Sequence, residues 1–270
     1  MKILTHFFRP LMPRGVRTHR IWSGLLRGEK IVTSWHDYPA AILGRTERPL
    51  LEWFERNVQA GQTWLDIGAH YGYTSIALSR LVGSEGRVFA FEPMLSTAGY
   101  VTQTRRLNNI SQLTVVPYGL AVPETLEIIC LPVTRGMVDS TLVRGQGERI
   151  KEQGGKIQEN GWLETIMVAR FDWLWSKICG NDDRIDGVKI DVQGMEIEVL
   201  TGMIETLRRQ HPKLVAEVHR GVDRKIFLRK IESAGYACDA TPVEPVDGEA
   251  SPLYLDDRSY VFHKLNQAGT

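Results

Sequence analysis

Residues able to do chemistry gather first in an acid-and-glycine loop. Trp64-Leu65-Asp66-Ile67-Gly68-Ala69-His70-Tyr71-Gly72 runs from apolar residues into Asp66, Gly68 and Gly72. A second apolar run, Val88-Phe89-Ala90-Phe91, ends on Glu92 and Pro93, with Glu92 twenty residues past Gly72. Two such runs are what a parallel sheet needs to hold a nucleoside. Glycine lets the backbone approach the ligand, and an acid ending the next strand accepts hydrogen bonds from ribose hydroxyls. The dinucleotide fingerprint G-x-G-x-x-G is absent, because His70 and Tyr73 stand where its second and third glycines belong. An acid just ahead of the first glycine points to S-adenosylmethionine rather than NAD. Asp66 is expected to accept from loop amides or from the ammonium group of that cofactor.

The second reactive group comes later in the chain. Lys189-Ile190-Asp191 reads as the end of a buried strand, and Gly194 and a helix follow. The carboxyl end of that strand opens on the sheet edge where ligands of open α/β sheets bind, so Asp191 is expected to face the donor methyl. Glu217 and His219 end the next strand. An alcohol is a weak nucleophile until its proton is removed during attack, so a base is wanted near the methyl. Asp191, Glu217 and His219 are the candidates, and an ordinary histidine pKa suits the task near neutral pH. The same cluster could bind Mg²⁺ or Mn²⁺. The acids are few and histidine is a poor Mg²⁺ ligand, so no metal is expected. Glu196, in the first turn of the following helix, is favoured there by the helix dipole.

These groups need a scaffold, and apolar periodicity supplies one. Strands are expected at 63–67, 87–91, 113–117, 187–191 and 213–218. Helices are expected at 47–59, 72–82, 95–108, 168–178, 195–209 and 223–234. Alternation of this kind means a parallel sheet covered by helices on both faces. A further apolar run at 126–131 and two late strands, near 236–241 and 258–264, complete the domain. Arg27-Gly28-Glu29-Lys30 lies between apolar runs and suggests a hairpin. Residues 144–161 hold five glycines and seven charges, which reads as a loop or lid. The expected organisation is an arm and hairpin over 1–46 and a catalytic domain over 47–270, with an insertion near 134–166.

Composition sets the outer limits. The chain has 270 residues, 43% of them hydrophobic, and a formal charge of +1, which gives no case for nucleic-acid binding. Residues 1–30 hold seven Lys/Arg and one acid, Glu29, and read as a solvated basic arm. Cys130, Cys179 and Cys238 are few and scattered, as in a reducing compartment. The start has too short an apolar run for a signal peptide, and no stretch approaches the ~20 apolar residues of a membrane span. A cytoplasmic location is therefore expected. Trp22, Trp35, Tyr38, Trp162 and Trp173 are the aromatics available to stack on an acceptor ring.

Two long motifs resemble a known family. Lys189-Ile190-Asp191-Val192-Gln193-Gly194-Met195-Glu196-Ile197-Glu198-Val199-Leu200-Thr201-Gly202 resembles the K-I-D-V-E-G-x-E-x-x-V-L-x-G signature of the FkbM-type methyltransferases. Asp66-Ile67-Gly68-Ala69-His70-Tyr71-Gly72 resembles their D-V-G-A-N-x-G loop, and Phe91-Glu92-Pro93 their F-E-P. Gly44-Arg45-Thr46-Glu47 sits where they show G-x-Y-E, and Ala216-Glu217-Val218-His219 resembles the end of a later strand. The likeness spans about residues 44–240. His70 replaces the usual Asn, Gln193 a Glu and Thr46 a Tyr. The resemblance implies a class I methyltransferase (Rossmann-like) fold with a mostly parallel seven-stranded sheet. It also implies S-adenosylmethionine as donor and S-adenosylhomocysteine as product. Glu47, Asp66, Gly68, Ala69, His70, Tyr71, Gly72, Glu92, Pro93 and Asp191 are then the expected cofactor contacts. The implied reaction is O-methylation of a hydroxyl on a small molecule, secondary metabolite or sugar. N-methylation of a peptide or amine, and a non-catalytic nucleotide-binding partner protein, are the alternatives. The oligomeric state is not legible.

Overall fold

A computed structural model describes residues 12–134, 161–179, 183–247 and 255–265. Its centre is a seven-stranded sheet. The strands are β3 (Thr63–Ile67), β4 (Arg87–Phe91), β5 (Leu113–Val116), β9 (Gly187–Ile190), β10 (Lys213–Val218), β11 (Thr241–Pro242) and β12 (Arg258–Phe262). They lie in the order β11-β12-β10-β9-β3-β4-β5. The pairings from β5 across to β10 are parallel, whereas β12 runs antiparallel to both its neighbours. The strand order reverses between β3 and β9, which puts the loop after β3 beside the loop after β9.

Two apolar cores cover the sheet, one on each face. On one face α5 (Phe171–Ile178), α6 (Glu196–Gly202), α7 (Ile204–Gln210) and α8 (Arg224–Ser233) bury Phe171, Trp175, Leu200, Leu207 and Phe227. On the other, α2 (Arg48–Asn57), α3 (Tyr73–Val82) and α4 (Leu95–Leu107) bury Phe54, Ile76 and Val101. The N-terminal ribbon of β1 (Arg17–Arg20) and β2 (Lys30–Thr33) packs on that second face. There Val32 N–H donates to Thr104 Oγ1 at 2.9 Å and Lys30 N–H to Asn108 Oδ1 at 2.8 Å. The five-residue α1 (Pro39–Leu43) leads from the ribbon to α2.

A small second sheet stands at the edge of the site. It joins β6 (Gly119–Leu120), β8 (Gly161–Ala169) and β7 (Glu127–Thr134), with β7 and β8 antiparallel from Glu127↔Val168 to Thr134↔Gly161. Residues 161–169 were expected to be loop and then helix, but they are strand throughout, and the helix starts only at Phe171. Buried Ile166 and Val168 flanking half-buried Met167 give the period of two of a strand. The expected lid at 144–161 lies outside the described residues, apart from Gly161. The helix expected at 195–209 is broken at Met203. Gly202 explains the break: it is a weak helix former, and its Cα packs so close to the Ala121 carbonyl that a Cβ would overlap it. The late strands are shorter than expected, and Tyr236 keeps only an isolated bridge to Lys264. Among the described residues no helix is long and apolar enough to cross a membrane.

Candidate active site

The loop after β3 closes over the end of β9. Gly68 takes φ +80°, and a Cβ on it would overlap the Asp191 carbonyl oxygen. Its glycine identity is therefore set by the neighbouring strand as much as by a ligand. Asp66 is fully buried beneath the loop and is not part of the lining of the neighbouring cavity. It accepts from hydroxyls instead of the expected loop amides: Thr74 Oγ1 and Ser75 Oγ donate to its Oδ2 at 2.7 and 2.5 Å. Its Oδ1 faces Lys189 Nζ at 3.2 Å. Lys189 also donates to the Gly68 carbonyl at 3.1 Å and lies 3.4 Å from Asp191 Oδ2. Burial alone would lower the Lys189 pKa, but Asp66, Asp191 and Glu47 outweigh it and hold the ammonium charged.

Glu92 behaves differently. Its Oε2 accepts from the His70 amide at 2.8 Å and its Oε1 from the Met94 amide at 3.1 Å, so the backbone aims the carboxylate. Burial pushes its pKa up to about 7 against those two hydrogen bonds. A cavity of about 400 Å³ opens beside it. Gly68, His70, Glu92, Pro93 and Asp191 line this cavity, together with Tyr38, Thr46 and Glu47. Ala69, Tyr71 and Gly72 do not line it, because their loop turns away into α3. Sequence reading missed the apolar wall opposite, made by Met94, Tyr118, Leu120, Ala121, Ile129, Ile166 and Val168. The signal was present, since these residues follow β4 and β5 or alternate along β7 and β8. Trp22 and Trp35 meet edge to face and are not part of the cavity lining, and Trp173 packs against the core. The Trp162 side chain lies outside the described residues.

Three of the non-glycine residues with positive φ sit on this cavity: Glu47 at 53°, His70 at 50° and Gln193 at 54°. Left-handed backbone is strained for most side chains and gathers at functional sites. Asn tolerates it best among ordinary residues, which accounts for the Asn usual at the position of His70. Burial holds the His70 pKa down at about 4, so that ring is neutral.

The ends of β9 and β10 make a cluster of charge. His219 Nδ1 lies 2.6 Å from Glu196 Oε1, and the same Glu196 oxygen accepts the Gly194 amide at 3.0 Å. The other ring nitrogen, Nε2, lies 3.5 Å from Asp191 Oδ1 and 3.5 Å from Glu217 Oε1, with the Gln193 amide at 2.8 Å. Burial would lower the His219 pKa. The bond to Glu196 and the charges of Asp191, Glu196 and Glu217 reverse that and raise it to about 9. A charged ring requires the Gln193 amide to present its oxygen to Nε2–H, a half-turn that leaves its shape unchanged. Asp191 moves the other way: burial would raise its pKa, but Lys189 and His219 lower it. Burial first, then Asp191 and Glu47, push Glu217 up to about 8. Asp191, Glu217 and His219 bring ligand atoms within 4.8 Å of one another, a donor set that a divalent cation could use.

The model of the methyltransferase FkbM domain matches residues 66–238, from Asp66 through the β9 and β10 cluster. The chain belongs to the FkbM methyltransferase family. Its strand order, with one antiparallel strand near the edge, is the class I methyltransferase fold, and the FkbM chain is an S-adenosylmethionine-dependent methyltransferase. It is similar to the hexuronic acid methyltransferase AglP of Haloferax volcanii, 25% identical over 199 residues that cover 73% of this chain and 72% of that one. Among solved structures it resembles methyltransferase FkbM from Methylobacillus flagellatus, at 16% identity and a TM-score of 0.47, covering 79% of this chain and 50% of that chain. The chain thus spans half the length of that protein. It also resembles Aeropyrum pernix fibrillarin bound to S-adenosylmethionine, at 16% identity and a TM-score of 0.43, covering 92% of this chain and 82% of that one. The cavity suits the cofactor. It pairs a carboxylate aimed by backbone amides with an apolar wall that could take a purine, and Asp191 stands on its far side.

Proposed function

We propose that this enzyme methylates a hydroxyl of a sugar or similar small acceptor, and that Glu217 is the base. One observation carries the reading. A second cavity, of about 560 Å³, adjoins the first, and Thr46, Glu47 and Glu217 line both. A donor in the first and an acceptor in the second would meet at that shared wall. The carbohydrate acceptor is supported by the likeness to a methyltransferase named for hexuronic acid.

Bound S-adenosylmethionine supplies a methyl group made electrophilic by the neighbouring sulfonium. Glu92 would accept hydrogen bonds from the ribose hydroxyls, and the apolar wall would exclude water from the adenine. Asp191, kept ionised by Lys189 and His219, would face the cationic end of the donor. Glu217 takes the acceptor proton as the oxygen attacks, and its raised pKa makes it a stronger base than an ordinary carboxylate. His219 was expected to be a base. It lines neither cavity, whereas Glu217 lines both, so His219 acts as a positioning residue for Asp191 and Glu217. Transfer of a labelled methyl group to a panel of methyl glycosides tests this. Base-stable ether products that vanish with Glu217→Gln are expected. No transfer to any glycoside, or undiminished transfer by the variant, would overturn it.

A further inference from the structure

We propose that the second cavity is built for an acidic acceptor and that Arg258 holds its carboxylate. The inference rests on the two-cavity reading above and adds to it the charge of the acceptor. Arg258 opens β12 directly after Asp257, whose left-handed φ of 56° turns the chain into the strand. The register pairs Arg258 with Val218 and Ser259 with Glu217, so Arg258 and the base leave the sheet from opposite faces at neighbouring positions, and both reach the lining of the second cavity at the strand ends.

Among the described residues Arg258 is loosely paired. Its side chain is 20% exposed, and its Nη2 is buried with no hydrogen-bond partner among the described residues. Its nearest carboxylate, Glu244, is 64% exposed and stands 3.8 Å from Nη1. A charge-assisted bond of this kind closes to about 2.7–2.9 Å when it is made. A planar guanidinium matches a carboxylate in a two-pronged grip that lysine cannot reproduce. The cavity also holds Arg45 and Arg48 beside Glu47, Glu217, Glu244 and Asp257, so it is not uniformly positive. The acids are divided. Glu47 and Glu217 form the wall shared with the donor cavity, where a neutral hydroxyl belongs. Glu244 and Asp257 are exposed and screened by solvent. An acceptor carrying a hydroxyl at one end and a carboxylate at the other fits this polarity, and a sugar acid is the simplest case.

The test is calorimetric binding of methyl glucuronoside and methyl glucoside to the enzyme saturated with S-adenosylhomocysteine. The two probes differ only in carboxylate against hydroxymethyl. The glucuronoside is expected to bind at least about tenfold more tightly, a difference of about 1.4 kcal/mol. Arg258→Gln should erase that preference and Arg258→Lys restore part of it, with affinity for S-adenosylhomocysteine unchanged in both, which shows that each variant is folded. Equal binding of the two glycosides, no binding of the glucuronoside, or a preference that survives Arg258→Gln would overturn the proposal. Failure of the wild type to bind S-adenosylhomocysteine would instead sink the donor-site reading.

Discussion

The two ends of the site are held by different physics. At the ends of β3 and β4 the acids are satisfied one by one. Glu92 sits on two backbone amides, and Asp66 sits on two hydroxyls and one ammonium. At the ends of β9 and β10, Asp191, Glu196 and Glu217 share Lys189 and His219. The first region is organised by the chain itself and keeps its geometry when a neighbour changes. The second is organised by charge balance, so altering one member shifts the protonation of the rest. Ligand recognition is expected to depend on the first region and proton handling on the second.

The sharpest way to separate them is Glu217→Gln. It should lower turnover by about 10²–10⁴ while cofactor affinity stays within a few fold. Steady-state kinetics beside calorimetry reads both numbers. A matched loss of affinity would erase the division between the two ends.

Lys189→Met breaks the one element common to both regions. It leaves Asp66 and Asp191 facing each other without the ammonium, and losing one partner of a buried pair costs about 3–5 kcal/mol. Denaturant unfolding should show that loss, and adding Asp66→Asn should recover part of it. Recovery of none would mean that Lys189 stabilises through packing alone.

Glu92→Gln should weaken cofactor binding by about ten- to a hundredfold, from loss of charge-assisted hydrogen bonds of about 1.5–3 kcal/mol. The ribose hydroxyls donate to the ionised carboxylate. Because burial raises its pKa to about 7, wild-type affinity should weaken as pH falls through about 7. Titrations across that range check it, and a flat profile would remove the ionised carboxylate from recognition.

The smallest effect is a shift in the pH–rate profile. A base works only when deprotonated, so activity should rise with pH through about 8. The positive charge of His219 lowers the Glu217 pKa, so His219→Gln should move the rise to higher pH. No shift would show that the two groups titrate independently.

Strands β3, β4 and β9 were legible because each carries a buried apolar run that ends on an acid or a glycine. The motif at 189–202 and the apolar run at 213–218 place Asp191, Glu217 and His219 at neighbouring strand ends. The roles within the cluster were not legible. Whether histidine is base or spectator depends on Glu196, 23 residues away in the chain yet 2.6 Å away in space. Sequence reading assigned that residue to a helix dipole. The small sheet of β6, β7 and β8 escaped notice for a similar reason. Its strands pair across the glycine-rich stretch at 144–161, and local pattern says nothing of what a long connection brings together.

A crystal structure of the complex with S-adenosylhomocysteine tests the central claim most directly. The account predicts ribose hydroxyls within hydrogen-bonding distance of Glu92, the adenine against Met94, Ile166 and Val168, and the sulfur facing the wall shared by Glu47 and Glu217. A ribose bound elsewhere, or a sulfur turned away from Glu217, would contradict it.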